Sequence, residues 1–157
     1  MNLFTFLHFV NLFFAGILAG MEIAIHYGLA APPAVLSDQS QIQLRQALIF
    51  RLRVLVPAFF VPTALTGIAV AILDGSSHGL WFRWAGLLAV LIWIAIRVIG
   101  TVPINSATLI WDAGAPPKDW KSRVDHAERF HIIGVWAAVM TFVFFLTAVA
   151  LMLPVSG

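Results

Sequence analysis

"LWFRWAGLLAVLIWIAIRVIGTVPINSATLIW", residues 80 to 111, decides the fold. It carries only two charges, Arg83 near its start and Arg97 in its middle. A spanning helix needs about 20 consecutive apolar residues, and this run exceeds that length without any period-two alternation. Three further stretches share its character, roughly 3–29, 44–73 and 126–153, the last most apolar from Phe130 onward. Lipid offers the backbone no hydrogen-bond partner, so spanning segments are helices or closed barrels, and continuous apolar runs select helices. The expected fold is all-α: an integral membrane four-helix bundle, one transmembrane domain over 1–157. Pro57 and Pro62 in the second helix and Pro103 in the third each remove a backbone N–H and should bend those helices.

Composition agrees, with 61% hydrophobic and 10% charged residues in 157 and a mean hydropathy of +0.96. Such a chain lies outside the range of soluble domains. Cysteine is absent, which excludes thiolate ligands, disulfides and cysteine nucleophiles. No nucleotide loop or basic stripe is present, so no nucleic-acid partner is expected. The first segment runs into "GLAAPPA" at 28–34, but it lacks a basic start and carries Glu22, so it reads as a span rather than a cleaved leader.

With four spans, the connections near 31–43 and 112–125 share one membrane face, and the "DGSSHG" turn at 74–79 shares the other with both termini. Arg45, Arg51, Arg53, Lys118, Lys121, Arg123 and Arg129 cluster about the first face, against Arg83 alone at the second. Positive-inside bias then places the two longer loops in the cytoplasm and both termini outside, as in a bacterial inner-membrane protein.

Polar residues within the spans are equally one-sided. Glu22 and His26 close the first span, Arg51 and Arg53 open the second, Asn105 closes the third, and His126, Glu128 and His131 open the fourth. At 1.5 Å per residue, Glu22 lies about 12 Å inside Ala30 and His131 about 15 Å inside Lys121, so the depths match. A charge at a span centre costs about 2.5 to 3.5 kcal/mol, and several at one level imply mutual pairing or a hydrated cavity. The opposite half reads as nearly featureless: Asn11 is its main exception, and His8 and His78 receive no role. His126 reads as a cap or interface residue, and Trp81, Trp84, Trp111 and Trp120 as an interface belt.

Helical phase gathers these groups. Glu22 and His26 are about 40° apart on one helix face, while Arg97, Thr101 and Asn105 follow i, i+4, i+8. Two carboxylate–histidine pairs, "EIAIH" at 22–26 and "ERFH" at 128–131, therefore meet at one depth, and the second has the Glu-x-x-His spacing of bundle metalloproteins. Glu22, His26, Glu128 and His131 are the candidate metal ligands. A di-iron centre needs more carboxylates than the spans supply, so a single iron or copper ion fits better. Heme, held axially by His26 and His131 with arginines on its propionates, is a second candidate, disfavoured by the glutamate beside each histidine. A third uses no cofactor: a histidine deprotonates an activated phenol or enol, whose carbanion reacts with dioxygen. Each group also has a structural role open to it, since Glu22 can neutralise Arg51, Arg53 or Arg97, and Arg97 can fix helix register or anchor an anionic substrate.

"RLRVLVPAFF" at 51–60, "GTVPIN" at 100–105, "WD" at 111–112, "PPKDW" at 116–120 and "ERFH" at 128–131 together resemble the anthrone oxygenase-like family of small four-span membrane proteins. The resemblance implies oxygenation of aromatic polyketides without an added cofactor, and it maps Arg51, Arg53, Pro103, Asn105, Trp111, Asp112, Trp120 and His131 onto recurring positions. Two features depart from it. Gly134 stands where many members carry arginine, which would leave the pocket one cation fewer and roomier, and the Glu22/His26 pair is not part of the family signature.

The expected function is an integral membrane oxidoreductase of oxygenase type that joins a hydrophobic aromatic molecule with dioxygen. His131 and His26 would serve as base or ligands, Arg97 and Asn105 would hold the developing oxyanion, and Arg51, Arg53, Thr101 and Trp111 would contact substrate. The alternative is a carrier, channel or partner subunit whose charges form a relay. The bilayer and a small hydrophobic molecule are the expected partners, and a homo-oligomer is compatible with the composition. The charge bias predicts that a reporter fused at the C-terminus is active only in the periplasm and one inserted at 114 only in the cytoplasm. The reverse pattern would overturn the orientation.

Overall fold

The amphipathic turns that flank the apolar runs are helical as well, so the elements outreach the hydrophobic stretches. The computed structural model describes residues 3–29 and 36–152, and within them four helices are long and apolar enough to cross a membrane: Leu3–Leu29, Asp38–Leu73, Leu80–Thr108 and Trp120–Ala150. Most of "GLAAPPA" and the expected end of the last span at residue 153 lie outside the described residues. The second span starts six residues before its apolar run because Ser37 caps it, accepting a hydrogen bond from the Ser40 N–H at 3.2 Å with Asp38 in the first turn. The fourth begins at Trp120, and Arg123 reaches back to Asp119 at 2.8 Å. The bundle is all-α, as the sequence predicts.

Two departures from α geometry lie at one level. The first span ends in a π-helical turn, Ile25–Leu29, and the third contains another, Arg97–Thr101. Pro103 explains the second: it has no N–H for the Ile99 carbonyl, and just before it the Val102 N–H bonds the Arg97 carbonyl five residues back. Pro57 and Pro62, by contrast, lie within one unbroken α-helix, where Thr63 and Thr66 hydroxyls donate to the Phe59 and Pro62 carbonyls.

Spans in lipid associate through close packing, which favours small residues between them. Phe145 of the fourth span is buried against Val70 and Val90 because Gly67 and Gly86 face it; a Cβ at those positions would stand 2.9 and 3.1 Å from its ring. Asn11 pins the first span to the second, donating to the Thr63 carbonyl at 3.1 Å and the Thr66 hydroxyl at 3.0 Å. Its role is therefore packing. Phe130 packs so closely on Gly100 that a Cβ there would overlap its Cβ and ring.

The half expected to be featureless is not. Arg83, counted above as a topological charge, is wholly buried and donates to the carbonyls of Val70, Asp74 and Ser76, with the Asp74 carboxylate at 2.5 Å. His8 is buried too, its Nε2 at 2.9 Å from Asp74 Oδ2. Burial opposes ionisation of Asp74, but hydrogen bonds from His8 and the Ser76 N–H and the Arg83 charge outweigh it and hold the carboxyl below its ordinary value. This network closes the turn between the second and third spans. Its groups escaped notice because each looks interfacial by sequence position, and only the tertiary fold turns them inward.

The Gly100–Phe130 contact sets how near Arg97 comes to the fourth span. Gly100→Ala should therefore overpack this crossing and cost about 1–3 kcal/mol, read as a lower unfolding temperature in detergent. An unchanged unfolding temperature would show that the two spans do not depend on that contact.

Candidate functional site

A carboxylate in the apolar part of a bundle must be paired or neutral. Glu22, in the last α-helical turn of the first span, is 0% exposed, and Arg97 from the π turn of the third span pairs with its Oε2. His131 of the fourth span brings Nε2 to 3.2 Å from the same oxygen. Arg97 also lies over the Trp93 ring, 5.4 Å from its centroid. Three spans thus converge on one oxygen, and of the neutralising partners foreseen for Glu22 the one realised is Arg97.

A second carboxylate sits on the same face of the fourth span, one turn before His131. Glu128 Oε1 accepts from Arg45 Nη1 at 2.8 Å, and Arg45 Nη2 reaches Asn105 Oδ1 at 3.3 Å. Glu128 Oε2 faces His131 Nδ1 at 3.4 Å and His26 Nδ1 at 3.8 Å. The His26 and His131 rings touch edge to face, with centroids 5.3 Å apart. Axial ligation of a heme between them would require the rings to part.

The hydrogen-bond polarity is informative. Carboxylates paired with arginine only accept, and His131 stands between two of them, with Nε2 toward Glu22 and Nδ1 toward Glu128. A neutral ring donates to one of them only; with its proton on Nε2, the Nδ1 lone pair faces Glu128 Oε2, acceptor against acceptor, unless a second proton or a cation lies between them. Among the described residues, Glu22 Oε1, His26 Nδ1, Glu128 Oε2, Arg97 Nε, Arg45 Nε and Thr101 Oγ1 are all buried without a hydrogen-bond partner. Unsatisfied buried groups are rare in native proteins, and six in one cluster imply a ligand, ion or water.

All of these residues but Glu22 line a cavity of about 1130 Å³ between all four spans, walled mainly by side chains such as Leu48, Leu52, Phe60 and Val98. It reaches from Trp120 to His131, about 16 Å along the fourth helix. That is ample for a ligand of several fused rings.

Of the residues singled out above, His26, Arg53, Arg97, Thr101, Asn105, Glu128 and His131 line the cavity. Glu22 lies behind them, outside the group of three possible metal ligands formed by His26, Glu128 and His131. Arg51 is exposed and off the lining, and Arg53 is exposed at its edge, 4.1 Å over the Phe50 ring. Neither enters the charge cluster: Arg51 is off the cavity face, and Arg53, two turns beyond Arg45 on the lining face, stays at the edge against Phe50. Trp111 is off the lining as well; its carbonyl and that of Thr108 accept from Gln46. Trp120 is not a belt residue but is buried at 8% exposure on the cavity wall. Gly134 is off the lining: a Cβ there would meet Arg97 Nε and Ile96 at an ordinary contact distance of 3.7 Å, so Arg97 of the third span occupies the space beyond one methyl group. Arg45 is the residue sequence reasoning missed, absorbed into the charge bias; its spacing with Gln41 and Ile49 on the lining face carried the signal.

No family model, curated protein or solved structure matches the chain. The site therefore rests on its own geometry. Removing one partner of a buried ion pair costs about 3–5 kcal/mol, whereas apolar replacement of both is often nearly neutral. Glu22→Leu and Arg97→Met should each lower the unfolding temperature, and the double variant should recover part of the loss. Strictly additive losses would mean that the two charges do not support each other.

Proposed function

We propose that the protein is an integral membrane oxidoreductase that takes a hydrophobic aromatic molecule from the bilayer and reacts it with dioxygen. The observation that carries this reading is an apolar cavity of about 1130 Å³ ending on a buried carboxylate–histidine cluster with unsatisfied polar atoms. An apolar chamber suits both reactants, because dioxygen and fused-ring substrates partition away from water. The likeness to anthrone oxygenases and the four-helix design point the same way.

The chemistry assigned to it is conversion of an activated ring methylene to a ketone. Overall, one methylene and one dioxygen give one ketone carbonyl and one water. A base takes the proton from the methylene, and the electron pair left behind is delocalised onto an adjacent phenolic or carbonyl oxygen. The carbanion donates its electrons to dioxygen to form a C–O bond, the proton returns to give a hydroperoxide, and loss of water leaves the ketone. His131, on the cavity lining, is the acceptor in this scheme, through Nδ1 in the tautomer that keeps its proton on Nε2. Glu22 fixes the ring tautomer and Arg97 fixes Glu22. Arg97 Nε and the Thr101 hydroxyl, both unpartnered, are donors for the oxyanion. Cytoplasmic placement of the cavity mouth follows from the charge bias.

The pairing of Glu22 with Arg97 and of Glu128 with Arg45 also favours a second reading, in which the cluster is a structural clamp in a carrier or partner subunit. Oxygen uptake separates the two. Purified protein in nanodiscs, given an anthrone-type aromatic methylene compound, should consume one dioxygen per ketone formed. His131→Phe should lower the rate about 10²–10⁴-fold, the usual contribution of a positioned base. Uptake no faster than in empty nanodiscs, or unaffected by His131→Phe, would leave the clamp.

A further inference from the structure

We propose that His26, Glu128 and His131 form a binding site for one divalent transition-metal ion at the inner end of the cavity. The ligand atoms of the three residues lie within 4.8 Å of one another. Metal–ligand bonds of about 2.1 Å place neighbouring ligand atoms about 3.0 Å apart in octahedral and about 3.4 Å apart in tetrahedral geometry. Glu128 Oε2 stands 3.4 Å from His131 Nδ1 and 3.8 Å from His26 Nδ1, so these two edges are near the required spacing, and the edge between the two imidazoles, within 4.8 Å, is the one that a bound ion would draw in.

The hydrogen bonding is that of a ligand set awaiting a cation. His26 Nδ1 and Glu128 Oε2 are buried with no hydrogen-bond partner, and His131 Nδ1 is turned to the same point. With both rings protonated on Nε2, three lone pairs converge there without a donor, and one cation relieves all three contacts. The supporting shell is present as well. Glu22 stands 3.2 Å from the far nitrogen of His131, where accepting its N–H selects the tautomer that ligates through Nδ1, and Arg45 holds the far oxygen of Glu128. Such carboxylate–histidine and arginine–carboxylate supports orient metal ligands and tune their basicity.

Charge balance sharpens the ligand chemistry. Glu22 and Glu128 are balanced by Arg97 and Arg45, so a divalent ion leaves an excess of two positive charges in an apolar wall. Anionic ligands, such as a phenolate or enolate together with hydroxide, restore neutrality on the coordination positions that face the cavity. Two imidazoles and one carboxylate on one side with open positions opposite is the pattern that suits iron(II) in oxygen chemistry. That catalytic assignment rests on the oxygenase reading above, with His131 Nδ1 holding the ion in place of accepting the substrate proton; the metal site itself does not.

The test uses full-length protein in detergent, stripped with chelator and titrated anaerobically with cobalt(II) and with iron(II). One cobalt(II) per chain should bind and show ligand-field absorption in the visible. His26→Ala should lower the affinity at least 100-fold; among the described residues no side-chain hydrogen bond holds His26, only ring contacts with Tyr27 and His131, so this variant should stay folded, as its unfolding temperature in detergent checks. Glu22→Gln should retain one ion per chain with affinity weakened about 10–100-fold. Failure of wild-type protein to bind stoichiometric cobalt(II) or iron(II), or unchanged affinity in folded His26→Ala, overturns the site. Metal-free protein that still consumes dioxygen with substrate overturns the ion's catalytic assignment and leaves the oxygenase reading intact, while the binding results decide the site. One ion per chain without oxygen uptake upholds the metal site while the oxygenase reading falls.

Discussion

Everything at the inner end of this bundle depends on burying the carboxylate of Glu22. A lone carboxylate at that depth would be neutralised or would unfold the helix end, so its presence commits other spans to answer it. Arg97 and His131 do so from two different helices. Each partner is itself constrained by its neighbours: Arg97 by Trp93, and His131 by Glu128 on the preceding turn. The pairing fixes the relative rotation of three spans, and the cavity is what remains between them and the second.

The backbone is adapted to that demand. A regular α-helix through residues 97–101 would aim Arg97 by the ordinary 100° per residue, and the π turn alters this phase where Pro103 has already weakened the hydrogen-bond ladder. Gly100 then admits Phe130 to near contact, which brings the altered turn against the fourth span. A second π turn carries His26 at the end of the first span. Irregular backbone inside a membrane is tolerated where it lines a cavity, and both turns do.

This division explains what could be read from the residues alone. Span number, helical class and the gathering of Glu22, His26, Arg51, Arg53, Asn105, His126, Glu128 and His131 in one half of the spans follow from apolar run length and a fixed rise per residue, both properties of single helices. Which arginine answers which carboxylate is a property of helix rotation, and a π turn shifts rotation without leaving a mark in composition. Arg51 and Arg53 were therefore indistinguishable from Arg45 in the sequence, though only Arg45 bonds Glu128. Gly134 shows the same limit: an absent side chain suggested open space, and the space is taken by Arg97 from another helix.

The two ends of the bundle use the same residue types, and the contrast between them separates architecture from chemistry. At the turn end, histidine, aspartate and arginine are nearly all satisfied: Arg83 directs its donors to backbone carbonyls and Asp74, and only its Nε lacks a partner. His8 and Asp74 satisfy each other at 2.9 Å. Such a network has no capacity left for a ligand, and its effect is to hold a turn closed. At the inner end two glutamates and two arginines also balance, yet oxygen, imidazole and guanidinium atoms remain unpartnered beside an apolar chamber. A structural ion pair has no need of such surplus, because each unpaired buried polar atom costs about 1–3 kcal/mol. Water, an ion or a ligand in the cavity would meet those atoms, and that capacity is what the network at the turn end lacks.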